Sequence, residues 1–294
     1  MSRNIYSTSA VTTRHGVELF LHRWQPAPDV ELKARIGLVH GLGEHARRYD
    51  ALAIPLNAAG IELIAIDLRG HGKSSGDRVW VRVFTDYLRD TDVLLEACAA
   101  TPPAGTPLFL MGHSMGGTIA ALYVAERAQE RKLAGLILSS AALKIGATTP
   151  RWKAKLSRIV GLVLPRVAAF SIDPAMLSRA PGVVQAYRRD PLVHHGAVPA
   201  RTAAQILAGM ERVAQKRGAI ALPLFVFHGS EDAICDPAGS REFEANVGSA
   251  DSTLAIYEGS VHETLNDLDR DRVIRELIDW TLVRADYART HAPG

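Results

Sequence analysis

Residues 107–117 read Pro107-Leu-Phe-Leu-Met-Gly-His-Ser114-Met-Gly-Gly117. The first part is a short apolar run with no helical spacing, the mark of a strand buried on both faces. From Met115 onward the chain favours helix. Between the two lies Gly112-x-Ser114-x-Gly116. A serine forced into a sharp strand-to-helix turn has a strained backbone, so the positions two before and two after it must be small. The turn lifts the hydroxyl above the sheet edge, and the helix behind it aims its N-terminus at any developing negative charge. With 24 glycines in the chain such a pattern could arise by chance, but chance does not also supply the strand before and the helix after.

Working outward, the alternation repeats on both sides. Arg35–His40, Ile61–Ile66, Leu133–Ser139, Leu222–His228 and Thr253–Tyr257 read as further strands. Helical patterns run over about 48–59, 83–100 and 269–285. Strands separated by helices of this length imply right-handed crossovers, hence an α/β fold with a mostly parallel central sheet and helices on both faces. Near the start, Ser9–Arg14 and Val17–Trp24 alternate around His15-Gly16 and predict an antiparallel hairpin. From about Gly146 to Arg217 the alternation stops. This stretch shows no clear strand, several helical patterns and six prolines, and it is too long for a connection. The expected organisation is a core of residues 1–145 and 218–294 carrying an inserted helical cap at 146–217. The cap opens with Arg151–Arg166, which holds five basic residues, no acidic one and an apolar set that includes Trp152, Leu156, Ile159, Leu162, Val163 and Leu164. Such a segment suits a lid resting on a lipid surface, or a helix packing its apolar side on the domain beneath.

Serine alone is a poor nucleophile and needs a base held by a carboxylate. In this arrangement they follow in the order acid, then histidine. Asp232 lies just past the strand ending at His228, where a carboxylate at the top of the sheet belongs; Glu231 competes for the role. Asp236 precedes Pro237 and reads as a helix N-cap. Of eleven histidines, only His262 follows a late strand in a short loop before the last helix, while His228 suits a bond within its own loop and His291 lies in the tail. The early loop His40-Gly-Leu-Gly-Glu-His45 can turn tightly enough to point the Leu42 amide, with that of Met115, at a carbonyl oxygen. Each such donor is worth on the order of 10²–10³ in rate.

Other classes are excluded in turn. Asp67–Ser74 ends like a phosphate-binding loop, but Asp67 stands where that motif needs glycine. No H-E-x-x-H or C-x-x-C spacing marks a metal site, and no cofactor is expected. The 294 residues carry 34 basic and 31 acidic side chains, too even a balance for a nucleic-acid binder. Two cysteines, with neither a signal-like leader nor an apolar run near 20 residues, predict a cytoplasmic protein.

With serine, acid, base, oxyanion loop and cap in this order, the chain resembles an α/β-hydrolase. It is similar, from about Thr12 to Leu282, to the monoacylglycerol lipases, a group also known as lysophospholipases or serine aminopeptidase-like hydrolases. The residues carrying this likeness are His40-Gly-Leu-Gly-Glu-His-Ala-Arg-Arg-Tyr49, Gly112–Gly117 and Gly229-Ser-Glu-Asp-Ala-Ile-Cys-Asp236, with Leu162–Pro165 and Tyr187–Leu192 in the cap. The resemblance implies Ser114 as nucleophile, Asp232 as acid, His262 as base and the Leu42 and Met115 amides as oxyanion donors. It also implies that Glu44, Arg48 and Tyr187 border the glycerol end of the pocket and that Cys235 lies near the acid. Animal relatives carry a second histidine three residues beyond the base, where this chain has Leu265. The expected activity is hydrolysis of a monoacylglycerol, or a related lipid ester, through an acyl-enzyme, with peripheral contact to a lipid surface through the cap. A carboxylesterase or lysophospholipase of other range, and a receptor that kept the fold, are the competing expectations.

Overall fold

The computed structural model describes residues 5–127, 132–144 and 159–291. Its strands are β1 (Ile5–Thr12), β2 (Glu18–Gln25), β3 (Ala34–Val39), β4 (Ile61–Asp67), β5 (Leu108–His113), β6 (Gly135–Ser139), β7 (Ala168–Phe170), β8 (Val198–Pro199), β9 (Leu224–Gly229) and β10 (Ser252–Tyr257). Eight of them form one sheet in the order β1-β2-β4-β3-β5-β6-β9-β10. The hairpin β1–β2 and the β2–β4 pair are antiparallel, and all pairs from β4 to β10 are parallel.

Alternation within each strand feeds two cores. Leu110, Leu136, Leu138, Leu224 and Val226 point to one face, under α2 (Thr85–Ala100) and α3 (Met115–Arg127). Phe109, Met111, Ile137, Phe225 and Phe227 point to the other, where Leu52 and Leu56 of α1 (Asp50–Ala58) meet Val273, Leu277 and Trp280 of the last helix, Arg270–Thr290. Because both faces are covered, the central strands are apolar at nearly every position, which is why they read as unbroken hydrophobic runs.

The stretch after β6 departs from expectation in one respect. Where the sequence shows no strand, β7 and β8 pair antiparallel. Strands of three and two residues carry no readable period. Between them lies the short helix α4 (Pro181–Arg189), and after them α5 (Ala200–Lys216), whose Ile206, Met210 and Val213 join the core beside α3. Of the basic apolar segment 151–166, residues 151–158 lie outside the described residues. In the remainder, a helical turn sets Gly161 against α5, where an added Cβ would lie 2.7 Å from the Ala200 carbonyl oxygen. Ile159, Leu162, Val163 and Leu164 are exposed. Among the described residues no helix is long and apolar enough to cross a membrane. The chain closes with α6 (Pro237–Glu244) and α7 (Arg270–Thr290).

Candidate active site

Ser114 sits between β5 and α3 with φ at +52°, a left-handed conformation that costs a non-glycine residue on the order of 1 kcal/mol or more. The surrounding glycines make this turn possible. A Cβ at Gly112 would fall on the Gly116 carbonyl oxygen, one at Gly116 on the Val39 carbonyl oxygen, and one at Gly117 would lie 2.5 Å from the Ala141 side chain. Neighbouring backbone holds the strain. The Ser114 amide donates to the Ser139 carbonyl at 3.0 Å, and the Ser114 carbonyl accepts from Gly117 and Ala142, each at 2.9 Å.

Asp232 occupies the loop between β9 and α6 and is saturated with donors. Its Oδ2 accepts from His262 Nδ1 at 2.7 Å and His228 Nε2 at 2.9 Å, and its Oδ1 from the amides of Ile234 at 2.8 Å and Cys235 at 3.0 Å. Burial alone would raise the Asp232 pKa, but the two histidines and these bonds hold it well below the usual carboxylate range. The reciprocal effect falls on His262. Burial disfavours its cation, yet the Asp232 charge and hydrogen bond raise its pKa above the ordinary imidazole value. With Nδ1 donating to the carboxylate, Nε2 is left as the basic nitrogen. His113, its ring tilted against that of His262 with centroids 4.9 Å apart, is pushed down to about 4 by burial and by the neighbouring imidazole.

The loop after β3 approaches Ser114 closely. A Cβ on Gly41 would lie 3.2 Å from that of Ser114, and Gly43 turns the chain with φ at +77°. His40 braces the loop, donating to the Gly41 carbonyl at 2.7 Å while its Nε2 accepts from the Leu68 amide at 3.0 Å. Neither the Leu42 nor the Met115 amide finds an acceptor among the described residues. Beside them lies a buried polar cluster. Glu44 accepts from the Gly41 amide at 2.6 Å, Tyr49 at 2.9 Å and Arg48 at 2.8 Å, while Arg48 also grips both oxygens of Glu263 at 2.6 and 2.7 Å. Burial would raise the Glu44 pKa; Arg48 and the nearby histidines instead bring it down to about 2. The Tyr187 ring, from α4, covers the Arg48 guanidinium at 4.7 Å.

Leu42, Glu44, Arg48, Ser114, Tyr187, His262 and Glu263 therefore line one small cleft, joined by Ile172 and Leu177 from the inserted stretch. Asp232 stands behind His262, and Met115 follows the serine. The Cys235 thiol is buried close to Asp232 and His262, and burial pushes its pKa well up. Ligand atoms of Asp232, Cys235 and His262 lie within 4.8 Å of one another. The donor set does not suit a metal, because both Asp232 oxygens are already filled twice and the thiol is held protonated. Asp236 caps α6, accepting from the Ala238 amide at 2.9 Å. Glu231 is exposed, and the His262 ring bonds to Asp232 instead. Leu265 packs into the core under α1 and α7, in the cluster that holds Tyr257 and Ile274. Asp67 and Ser74 tie their loop to the sheet, with Ser74 accepting from the Phe20 amide at 2.8 Å. Glu263 is the residue that motif reasoning missed. Its signal was available: an acid directly after the candidate base, on a loop facing the cleft, needs a buried cation to meet it.

An eight-stranded, mostly parallel sheet with a serine elbow beyond its fifth strand defines an α/β-hydrolase. More narrowly, a family model described as "Serine aminopeptidase, S33" matches residues 30–269, and the chain belongs to this family. It is 33% identical over 265 residues to the monoacylglycerol lipase of Mycolicibacterium smegmatis, covering 90% of this chain and 93% of that one. It is 34% identical to the human monoglyceride lipase, covering 95% of this chain and 91% of the relative. The crystal structure of Paleococcus ferrophilus monoacylglycerol lipase, 30% identical, superposes with a TM-score of 0.79 over 90% of this chain and 99% of that one.

Proposed function

We propose that this protein hydrolyses monoacylglycerols to fatty acid and glycerol through a covalent acyl-enzyme on Ser114. The observation that carries this reading is the single cleft in which Ser114 and His262 meet the Glu44–Arg48 pair. It is supported by relatives that are themselves named monoacylglycerol or monoglyceride lipases.

His262 Nε2 takes the Ser114 proton as Oγ attacks the ester carbonyl. The Leu42 and Met115 amides receive the oxyanion, their N–H groups being free to do so, and the α3 N-terminus adds its positive end. Collapse of the tetrahedral intermediate breaks the ester bond, and the imidazolium returns its proton to the departing glycerol oxygen. Water, activated by the same histidine, then attacks the acyl-enzyme and releases the fatty acid. Asp232 fixes the tautomer and stabilises the imidazolium. Glu44 and Arg48, with Tyr187 over them, offer acceptors and donors side by side, which suits the hydroxyls of the glycerol leaving group.

Residues 146–217 act as a cap over the core formed by 1–145 and 218–294. Ile172 and Leu177 give the acyl chain an apolar wall. The exposed Leu162, Val163, Leu164 and Val167 make peripheral contact with a lipid surface, from which the substrate enters.

The test is fatty acid release from monoacylglycerol, triacylglycerol and lysophosphatidylcholine by wild type and Ser114→Ala. Release from monoacylglycerol should dominate and fall by about 10³-fold or more in the variant. Release from lysophosphatidylcholine alone would move the substrate to lysophospholipids, and release from none would overturn lipid hydrolysis.

A further inference from the structure

Glu263 has no part in the steps above, yet it is tied to residues on either side of them. It follows His262 with no residue between, is buried, and spends both carboxylate oxygens on Arg48 at 2.6 and 2.7 Å. Arg48 passes the contact to Glu44 at 2.8 Å, and Glu44 holds the Gly41 amide at 2.6 Å. Gly41 opens the turn whose next residue carries the Leu42 amide. An unbroken chain of charge-assisted hydrogen bonds thus runs from the base loop to the oxyanion loop, joining segments 215 residues apart. The Glu263 amide also donates to the Leu177 carbonyl at 2.8 Å, so the same residue is tied to the wall of the acyl site.

We infer that Glu263 is a positioning residue for the proposed hydrolysis: by clamping Arg48 it fixes the base at His262 relative to the oxyanion donor at Leu42. This inference rests on the roles proposed for Ser114 and His262. Oxyanion donors act over a few tenths of an ångström, so two loops drawn from distant parts of the chain gain from such a brace. The clamp also adds charge. Two carboxylates around one guanidinium leave a net negative charge in a buried site, and this favours the His262 imidazolium formed in each step. The groups facing His262 are Asp232 and Cys235 from the β9–α6 loop, His113 from β5, Glu44 and Arg48 from the oxyanion loop, and Glu263 itself. Burial opposes the His262 cation, and Asp232 first, then Glu263 and Glu44, favour it.

The test compares wild type, Ser114→Ala, Glu263→Ala and the isosteric Glu263→Gln on a monoacylglycerol and on the p-nitrophenyl ester of the same acyl chain. The second substrate has no glycerol. A brace should show as kcat lower by about tenfold or more on both substrates in Glu263→Ala, with KM changed less than about threefold. In Glu263→Gln the acid limb of kcat/KM should also move down by about half a pH unit. If only the monoacylglycerol suffers, Glu263 serves glycerol binding and the inference fails. It fails equally if both rates drop with the acid limb unmoved, which marks loosened structure alone, or if neither rate changes. Should Glu263→Ala not fold, Glu263→Gln carries both readouts: lower kcat on both substrates with a shifted limb supports the brace, and wild-type behaviour overturns it. Full activity in Ser114→Ala would sink the underlying mechanism instead, and is read independently of the Glu263 variants.

Discussion

The floor of the cleft and the strip at residues 159–170 present opposite physical problems. On the floor, charges are buried and answered within the protein: Asp232 by two imidazoles and two amides, Arg48 by two carboxylates. On the strip, Leu162 and Val163 stand 71% and 68% exposed, with Leu164 and Val167 beside them, and nothing among the described residues covers them. A buried charge is tolerated only when it is paired and hydrogen-bonded, and the charges of the floor meet that condition within the chain. A contiguous apolar strip in water carries a free-energy cost that an external apolar phase would remove. The charges of the floor are answered by the chain itself; the apolar side chains of the strip are not covered by it.

The largest effect should come from breaking the floor at its most saturated point. Asp232→Asn keeps the shape but removes the charge that fixes the His262 tautomer, and kcat should fall on the order of 10⁴-fold. Its pH profile sharpens the point. The base must be neutral to act, so activity is lost as pH falls through the His262 pKa. Because that pKa is raised in the wild type, the acid limb of kcat/KM should lie above the ordinary imidazole value near 6.5, and Asp232→Asn should bring it down. A limb at or below 6.5 in the wild type would contradict the charge balance described for this site.

A smaller effect belongs to the strip. Replacing Leu162 and Val163 together by serine should reduce co-sedimentation with phosphatidylglycerol vesicles several-fold at low salt. Turnover of a water-soluble short-chain ester should stay within about twofold of wild type. Equal sedimentation of both proteins would refute the lipid contact. The smallest effect lies where the loop after β3 meets residues 190–194, with His45 Nε2 donating to Asp190 at 2.9 Å and the His194 amide to the Gly43 carbonyl at 2.8 Å. His45→Ala removes one of these two ties, and kcat on the long-chain substrate should fall only a few-fold, as expected for a partly buried pair with a neighbour that persists.

Legibility in the sequence follows a related division, between what neighbours along the chain decide and what distant segments decide. The sheet is legible because strands covered on both faces become continuous apolar runs, and the elbow because its steric demand leaves glycine as the only choice at Gly112 and Gly116. The N-cap at Asp236 is legible from Pro237 alone. Contacts between distant segments are not. Arg48 and Glu263 stand 215 positions apart, and no local pattern pairs them. His228 reads as a residue bonded within its own loop, and its Nε2 does bond Asp232 there, but its Nδ1 also meets Ser240 of α6 at 2.7 Å, which no local pattern reveals. The β7–β8 pair is invisible for a third reason: two or three residues set no period, and the strands exist only because the fold brings them together.

The most direct test of the central claim is to react the protein with a long-chain fluorophosphonate and locate the adduct by peptide mass spectrometry. One adduct is expected, on the peptide carrying Ser114, formed in step with loss of monoacylglycerol hydrolysis and absent from Ser114→Ala. An adduct on another residue, or hydrolysis that survives full modification of Ser114, would contradict it.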